Sequence, residues 1–238
     1  MQIEAVPYRP KPRWEANLRD PKSTARSKVS FLDALVEAVA DFGLDPLSPR
    51  QIEQLACHYA MLCRWNERVN LTRVIDPKQA ARRHYAESLY GASFVKGARR
   101  VLDVGSGAGF PAIPLAVVKP DIEVTALESN QKKSVFLKEA KDAVGVNNLS
   151  VVAARFEEFD CLTYDLLTSR ALDSAGQVYP EMIATLDAGR SLMLFCSPEL
   201  LDSVSGTIPD SVKITVHQIP LTNQRLVVFF EKSITPEI

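Results

Sequence analysis

The sequence predicts an open α/β domain with a mostly parallel sheet, preceded by a helical module. Short apolar runs of strand type follow residue 100 and alternate with helical stretches, a pattern typical of a parallel sheet that is covered on both faces. Two further runs near the C-terminus are joined by a link too short for a crossover helix, which predicts an antiparallel hairpin at the end of the sheet. These runs are Val101–Val104, Val124–Leu127, Val151–Ala153, Leu166–Leu167 and Leu192–Phe195, followed by the pair Val212–Ile219 and Leu226–Glu231.

The helical module is predicted over residues 29–98, ahead of an α/β domain over residues 99–238. Ser30 precedes a run with apolar residues on one helical face, and Gly43 ends that run. Residues 48–51 read Ser-Pro-Arg-Gln, a capping box with proline at the first helical position. Asp76 and Pro77 begin a third helix in the same way.

Charge is unevenly distributed along the chain. Residues 1–100 contain 17 Lys and Arg against 11 Asp and Glu, whereas residues 101–238 contain 11 against 18. Residues 1–28 are rich in Pro, Arg and Lys and almost free of aliphatic residues, so we predict a flexible basic arm there. A basic front half favours a nucleic-acid partner, although a solvated basic face would have the same composition.

The composition excludes several classes of protein. With 46% hydrophobic and 24% charged residues it is that of a globular chain, and no apolar run approaches the roughly 20 residues of a membrane span. The first residues contain no apolar segment of the kind that secretory signals carry. The cysteines lack metal-ligand spacing, so we expect free thiols in the cytoplasm and no bound metal. They are Cys57, Cys63, Cys161 and Cys196.

The stretch from Val101 to Phe110 is the most informative part of the sequence. A buried strand runs into a glycine-rich turn and then into the start of a helix, an arrangement in which the backbone approaches a ligand closely. The spacing is D-x-G-x-G-x-G, with Asp103 before Gly105 and Gly107. A dinucleotide fingerprint needs a small residue where Phe110 stands, and a P-loop needs a Gly-Lys-Ser/Thr sequence that is missing.

Two carboxylates indicate which ligand this turn binds. Asp103 would repel a phosphate but favours the sulfonium and ammonium groups of S-adenosylmethionine. Glu128 ends the next predicted strand, where a carboxylate can accept hydrogen bonds from both ribose hydroxyls. The residues therefore predict a class I S-adenosylmethionine-dependent methyltransferase of Rossmann-like fold, with Asp103, Gly105, Gly107 and Glu128 in the cofactor site.

Several further motifs occur in order along the chain and make it similar to a known family. From about residue 30 the sequence resembles the bacterial small-subunit ribosomal RNA methyltransferase family RsmG, also called GidB. The resemblance implies methylation of N7 of a guanine in the 530 loop of 16S ribosomal RNA, by a monomer that acts on the RNA or on the small subunit. It rests on Trp65-Asn66, Asn70-Leu71-Thr72, Arg83-His84, the stretch Asp103 to Leu115, and Ser169-Arg170-Ala171.

The resemblance also implies roles for individual residues. Gly105 and Phe110 would line the methionine end of the cofactor, and Phe156 and Glu157 would face the adenine. Arg170 would lie near both the cofactor and the base, as a candidate for positioning rather than for acid–base chemistry. Candidates for RNA binding are Arg64, Arg83 and His84.

Three positions depart from the family pattern. Glu87 stands where Asp is usual, and Ala112 replaces a Gly. Cys196 and Ser197 follow the fifth strand where the family commonly has Lys-Gly, which puts a role for that lysine in doubt here.

Alternative chemistries find less support in the sequence. Amino-nitrogen methylation uses an Asn/Asp-Pro-Pro-Tyr/Phe motif, whereas residues 166–171 read Leu-Leu-Thr-Ser-Arg-Ala. Methylation of pyrimidine C5 needs a cysteine nucleophile, for which Cys196 is a candidate, but the Pro-Cys partner is missing. A small-molecule methyltransferase and a non-catalytic RNA-binding factor with a retained cofactor fold remain open at this point.

Overall fold

A single mixed sheet of seven strands forms the centre of the molecule in the computed structural model, which describes residues 30–170, 175–188, 190–206 and 208–232. The basic arm predicted over residues 1–28 lies outside the described residues. The strand order is β3-β2-β1-β4-β5-β7-β6, in which only the pairings of β7 are antiparallel. The strands are β1 Arg100–Val104, β2 Glu123–Leu127, β3 Leu149–Val152, β4 Leu166–Arg170, β5 Ser191–Cys196, β6 Val212–Gln218 and β7 Leu226–Lys232.

The helices begin where capping residues predict. The side chains of Ser30, Ser48 and Asp76 each accept a hydrogen bond from a backbone N–H of the first turn. No helix among the described residues is long and apolar enough to cross a membrane. The helices are α1 Phe31–Asp41, α2 Pro49–Asn66, α3 Pro77–Ala80, a π-helical segment Ala81–Ala86, α4 Glu87–Phe94, α5 Ala112–Val118, α6 Gln131–Val144, α7 Ala175–Ala184 and α8 Pro198–Ser205, with 3-10 turns at Phe156–Glu158 and Thr185–Ala188.

The predicted fold class is confirmed, including the hairpin of β6 and β7 at the end of the sheet. β3 begins at Leu149 rather than Val151, because Leu149 is buried and pairs with Val124. The polar Ser150 separates Leu149 from the apolar run that begins at Val151. In the sequence, Leu149 and Ser150 therefore look like part of the preceding loop.

Two apolar cores lie on opposite faces of the sheet. Val101 points into the core that contains α1, α2, α4, α5 and α6, whereas Leu102 points into the core that contains α7 and α8. The helical module predicted over residues 29–98 therefore shares its core with one face of the sheet. This packing places the π-helical segment and the loop after α2 above the carboxyl ends of β1 and β4.

Gly91 provides a test of this packing. A Cβ atom on Gly91 of α4 would lie 2.9 Å from Cε1 of the Phe195 ring, well inside van der Waals contact. We expect Gly91→Ala to lower the free energy of unfolding by about 1–3 kcal/mol, the usual cost of overpacking a core. Urea unfolding measures this, with Ser93→Ala on the exposed side of α4 as the control. Equal stability of the two variants would contradict the described contact between α4 and β5.

Candidate active site

A cleft of about 530 Å³ opens at the carboxyl ends of β1, β2 and β4. Its volume is in the range of small-ligand sites, and its position beside the central strands is the usual ligand crevice of open α/β sheets. The lining residues come from the glycine loop, the end of β2, the π-helical segment and the loop after α2. They are Leu71, Thr72, Val74, Arg83, His84, Gly105, Ser106, Gly107, Ala108, Phe110, Glu128, Ser129, Asn130, Lys133 and Arg170.

The glycine loop turns sharply between β1 and α5. Gly105, Gly107 and Gly109 have φ angles of 72°, 55° and 86°, in the left-handed region that side chains disfavour. A Cβ on Gly109 would in addition lie 2.7 Å from Cδ1 of Ile113. The Gly105 N–H donates to the carbonyl of Leu127 at 2.9 Å, which ties the loop to the end of β2. The loop thus presents backbone rather than side chains to the cleft, as the motif predicts.

Glu128 is oriented by backbone donors at the floor of the cleft. Its Oε2 accepts a hydrogen bond from the Gly107 N–H at 2.8 Å, and its Oε1 accepts one from the Asn130 N–H at 2.8 Å. The residue is only 6% exposed. Each carboxylate oxygen has further lone-pair capacity, so an oriented acceptor faces the space where a diol would bind.

Asp103 lies beneath the glycine loop and not on the cleft wall. Its Oδ2 accepts hydrogen bonds from the Ser106 hydroxyl at 2.7 Å and the Ala112 N–H at 3.2 Å. Burial raises the pKa of Asp103 to about 7, against the lowering effect of these donors. The carboxyl group therefore supports the loop from below, and its direct contact with a cofactor stays a prediction.

The helical module holds the loop from the other side through His58. His58 Nε2 donates to the carbonyl of Ala108 at 3.0 Å, and its Nδ1 accepts from the Tyr85 hydroxyl at 3.0 Å; the partners dictate this tautomer. Complete burial lowers the pKa of His58 to about 3, so the ring is neutral. The sequence analysis missed His58, for which the available signal was a histidine on the buried face of α2.

Phe110 closes the loop against the π-helical segment. Its ring stacks on His84 with centroids 4.8 Å apart and meets the edge of Tyr85 at 5.0 Å. His84 Nε2 lies 3.0 Å from the Thr72 hydroxyl and 3.2 Å from the Val74 carbonyl. Burial lowers the pKa of His84 to about 3, so a neutral imidazole lines the cleft.

Arg170, at the end of β4, is held by the backbone of the π-helical segment. Its guanidinium donates to the carbonyls of Arg83 and His84, and it pairs with Glu87 Oε2 at 3.1 Å. Only 14% of the side chain is exposed. Single π-helical turns inside α-helices are frequent at functional sites, and this one presents carbonyl groups that an arginine can reach.

The structure does not bring all predicted site residues together. Arg83, His84 and Arg170 line the cleft with the glycine loop and Glu128. Arg64 is exposed on α2 and does not line it. Phe156 packs in the core beneath α7, and Glu157 is exposed; neither lines the cleft, so their contact with adenine stays a prediction.

A loop wall that the sequence analysis did not assign completes the cleft. Asn66 Oδ1 accepts from the N–H groups of Leu71 and Thr72, both at 2.9 Å, and so fixes the loop after α2. The Asn66 and Asn70-Leu71-Thr72 motifs supplied the available signal. Lys133 of α6 adds a cationic group at the opposite side.

Sequence comparison relates most of the chain to one family. A profile described as GidB, rRNA small subunit methyltransferase G, matches residues 51–201. A curated relative of that name from Xylella fastidiosa (strain 9a5c) is 35% identical over 209 residues, which cover 85% of this chain and 98% of the relative. Another from Stutzerimonas stutzeri (strain A1501) is 42% identical over 147 residues, or 61% of this chain and 68% of the relative.

Structural comparison relates the fold to solved methyltransferases. A putative O-methyltransferase from Klebsiella pneumoniae has a TM-score of 0.55 at 15% identity and covers 80% of this chain and 92% of its own. A precorrin-6y C5,15-methyltransferase from Geobacter metallireducens GS-15 has a TM-score of 0.51 at 17% identity and covers 68% and 90%. At these identities the likeness establishes the fold alone.

The sheet order, the glycine loop and the carboxylate at the end of β2 define a class I S-adenosylmethionine-dependent methyltransferase. The family match is equally plain, since one relative is covered almost from end to end. The chain belongs to the ribosomal RNA small subunit methyltransferase G family.

The cleft fits the cofactor of this class. The glycine loop leaves its wall free of Cβ atoms at Gly105 and Gly107, and Glu128 presents an oriented acceptor for ribose hydroxyls. Burial keeps the His84 imidazole neutral, so it adds no charge to the arginines and the lysine that line the same cleft. Gly105, Gly107, Phe110 and Glu128 are therefore the residues that would hold S-adenosylmethionine.

Replacing Glu128 tests whether it binds the ribose hydroxyls of the cofactor or only holds the backbone of the cleft floor. Glu128→Ala should weaken S-adenosylmethionine binding by about 1–3 kcal/mol, the usual range for losing charged hydrogen bonds. Binding of an analogue without ribose hydroxyls should weaken far less. Calorimetry on both ligands measures the difference, with Asp142→Ala on the exposed side of α6 as a surface carboxylate control. Equal losses for the two ligands would mean that Glu128 acts only by holding the Gly107 and Asn130 N–H groups.

Proposed function

We propose that the protein transfers a methyl group from S-adenosylmethionine to N7 of a guanine in the 530 loop of 16S ribosomal RNA. The observation that carries this proposal is that neither the carboxylate nor the imidazole described on the cleft wall is available to a substrate as a general base: Glu128 is held by the Gly107 and Asn130 N–H groups, and His84 Nε2 is engaged by Thr72 and Val74. His84 is the imidazole there, and burial lowers its pKa to about 3. Guanine N7 has a free lone pair at neutral pH, so it is a nucleophile that such a cleft can serve. Membership of a ribosomal RNA methyltransferase family supports the substrate class.

The residues of the cleft would act by positioning. When bound, S-adenosylmethionine supplies an electrophilic methyl group on a sulfonium. Glu128 and the glycine loop would fix the ribose and methionine ends, while the Phe110 ring and neutral His84 would form an apolar wall that excludes water. Arg83 and Lys133 line the same cleft and would attract RNA phosphates.

A thiol mechanism at pyrimidine C5 has no support from Cys196. Its side chain is buried at the end of β5, and burial raises the pKa of the thiol to about 11. The reactive form is the thiolate, which is scarce at neutral pH with such a pKa. Cys196 also does not line the cleft.

We also propose that a monomer is the active form. A ribosomal substrate would place the reaction in the cytoplasm, either on 16S RNA or on the assembled small subunit. The basic front half of the sequence would add phosphate contacts outside the cleft.

The N7 assignment predicts a reaction that needs the ring nitrogen and no thiol. Small-subunit RNA with 7-deazaguanine at the target should accept no methyl group, because the nucleophilic nitrogen is replaced by carbon. Cys196→Ser should keep near-native turnover. Above the Asp103 pKa of about 7, the rate on unmodified RNA should be nearly flat, since the mechanism uses no general base in contact with the substrate. Tritium transfer from labelled S-adenosylmethionine, followed by mapping of the methylated nucleotide, measures all three.

Three results would overturn this assignment, each in favour of a different reading. A covalent RNA adduct that Cys196→Ser abolishes would indicate C5 methylation. Cofactor binding with methyl transfer to a small molecule and none to RNA would indicate a small-molecule enzyme. RNA binding without cofactor binding would indicate a non-catalytic factor.

Arg170 is proposed as a positioning residue that acts through the π-helical segment. Arg170→Ala removes the donor that binds the carbonyls of Arg83 and His84. The π-helical segment should then shift, and with it the side chains of Arg83 and His84 that line the cleft. We expect kcat to fall by about one to two orders of magnitude with a smaller change in RNA affinity, as for a misplaced reacting group. Arg170→Lys should rescue little, because one ammonium cannot replace a fork of donors.

A neighbouring arginine supplies the control for Arg170. Arg82 lies on the same segment but points outward to Asp41 and Glu37. Arg82→Ala should leave kcat and cofactor affinity unchanged. Full rescue by Arg170→Lys would show that Arg170 contributes only its charge. Equal kcat losses for Arg170→Ala and Arg82→Ala would show that it contributes only to general stability.

A further inference from the structure

The link between β6 and β7, residues 219–225, lies at the same edge of the sheet as the cleft. Leu226, the first residue of β7, pairs with Cys196 at the carboxyl end of β5. Phe195 pairs in turn with Arg170, which lines the cleft. The link therefore emerges beside the opening through which a substrate reaches the glycine loop.

A buried ion network joins the link to the cleft wall. Arg225 Nη2 lies 2.7 Å from Glu87 Oε1, and Arg170 Nη2 lies 3.1 Å from Glu87 Oε2. Glu87 is only 2% exposed. Burial raises the pKa of Glu87, and the two arginines oppose this shift. A buried carboxylate with both oxygens paired fixes its partners, so the position of the link is coupled to that of Arg170.

The link is a built turn. Gln218 Nε2 donates to the Thr222 carbonyl at 2.6 Å and to the Arg225 carbonyl at 3.0 Å. The Gln224 N–H donates to the Thr222 hydroxyl at 3.2 Å. These bonds pair the carbonyls of Thr222 and Arg225 and the N–H of Gln224, and so they hold the turn against the end of β6.

Leu221 at this tip has two unfavourable features. Its φ angle is 60°, which makes it the one non-glycine residue with a positive φ in the described part of the chain. A left-handed conformation disfavours a leucine, and glycine or asparagine would fill the position at lower cost. The side chain is also 66% exposed. Strained residues of this kind cluster at sites of ligand contact, and an exposed leucine gains nothing for folding alone.

We propose that Leu221 packs against an unstacked base of the RNA substrate close to the methylated nucleotide. The inference rests on the proposed function and adds a contact to it. The same edge of the protein carries Arg83 and Lys133, whose charges suit the phosphates of that RNA. Apolar side chains wedge between or pack on bases where a strand is unstacked, and sequence-specific RNA recognition targets such single-stranded segments. Leu221 thus contacts the base while the cationic residues contact the backbone.

Three substitutions separate the apolar contact from the turn conformation. Leu221→Asn keeps a residue that tolerates the left-handed conformation but removes the apolar side chain. Leu221→Met keeps an apolar side chain of similar size. Leu162→Asn is the matched control, because Leu162 is 69% exposed and precedes β4 at the opposite edge of the sheet, where Arg190 binds its carbonyl at 2.9 Å.

The assay is methyl transfer to 16S RNA and to small subunits prepared from cells without this methylation. We expect Leu221→Asn to lower kcat/KM for RNA about tenfold, the scale expected when much of a leucine side chain is no longer buried against a partner. Its affinity for S-adenosylmethionine should be unchanged and its Tm should not fall, because the residue touches neither the cofactor cleft nor the core. Leu221→Met should retain most of the activity, and Leu162→Asn should match the wild type.

The outcomes distinguish the contact from the function on which it rests. Wild-type kcat/KM for Leu221→Asn, in a protein that methylates RNA, would overturn the inference and leave the proposed function intact. An equal loss in Leu221→Met would show that the apolar side chain is not the cause. Failure of the wild-type protein to methylate either RNA substrate would overturn the proposed function and the inference together.

Discussion

The hydrogen bond from buried His58 to the carbonyl of Ala108 is the contact on which the rest of the site depends. It joins α2 to a glycine loop whose φ angles are unfavourable for side chains, and the loop has Asp103 beneath it as a second support. Removing either support would leave a buried polar group unpaired, which costs more than the bond itself contributes. The helical module therefore contributes to the site, since α2 holds the glycine loop through His58.

A second constraint acts at the substrate side of the cleft. Arg170 would be costly to bury alone, and it is tolerated because the π-helical carbonyls and Glu87 satisfy its donors. Glu87 in turn is tolerated because Arg225 takes its other oxygen. This chain of pairs connects β4, the π-helical segment and the β6–β7 link. The geometry of the cleft wall around Arg170 thus depends on residues from three distant parts of the sequence.

The sequence predicted the elements well and the contacts between them less well. Apolar periodicity, helix caps and glycine spacing are local features of the sequence. β1, the glycine loop and the position of Glu128 could therefore be predicted from short segments of the chain. The partners of His58 lie 27 and 50 residues away, and a local pattern cannot pair them. Arg170 was assigned to the site through resemblance, and it lines the cleft from the end of β4, but its carbonyl partners come from a π-helical segment that has no sequence signature. Phe156 and Glu157 were assigned through resemblance, and in this structure they lie outside the cleft lining.

Burial of His58 and His84 couples the stability of the fold to the charge of the site. Both rings have a folded pKa of about 3, below the 6.5 expected for an unfolded histidine. The unfolded chain therefore binds more protons between these values, so their contribution to stability is complete above pH 6.5 and is lost as the pH falls toward 3. At neutral pH the same burial keeps His84 uncharged beside the glycine loop. A protonated imidazole there would add a further cationic group to a cleft already lined by Arg83, Arg170 and Lys133, so the burial that makes the protein sensitive to acid also limits the positive charge beside the glycine loop.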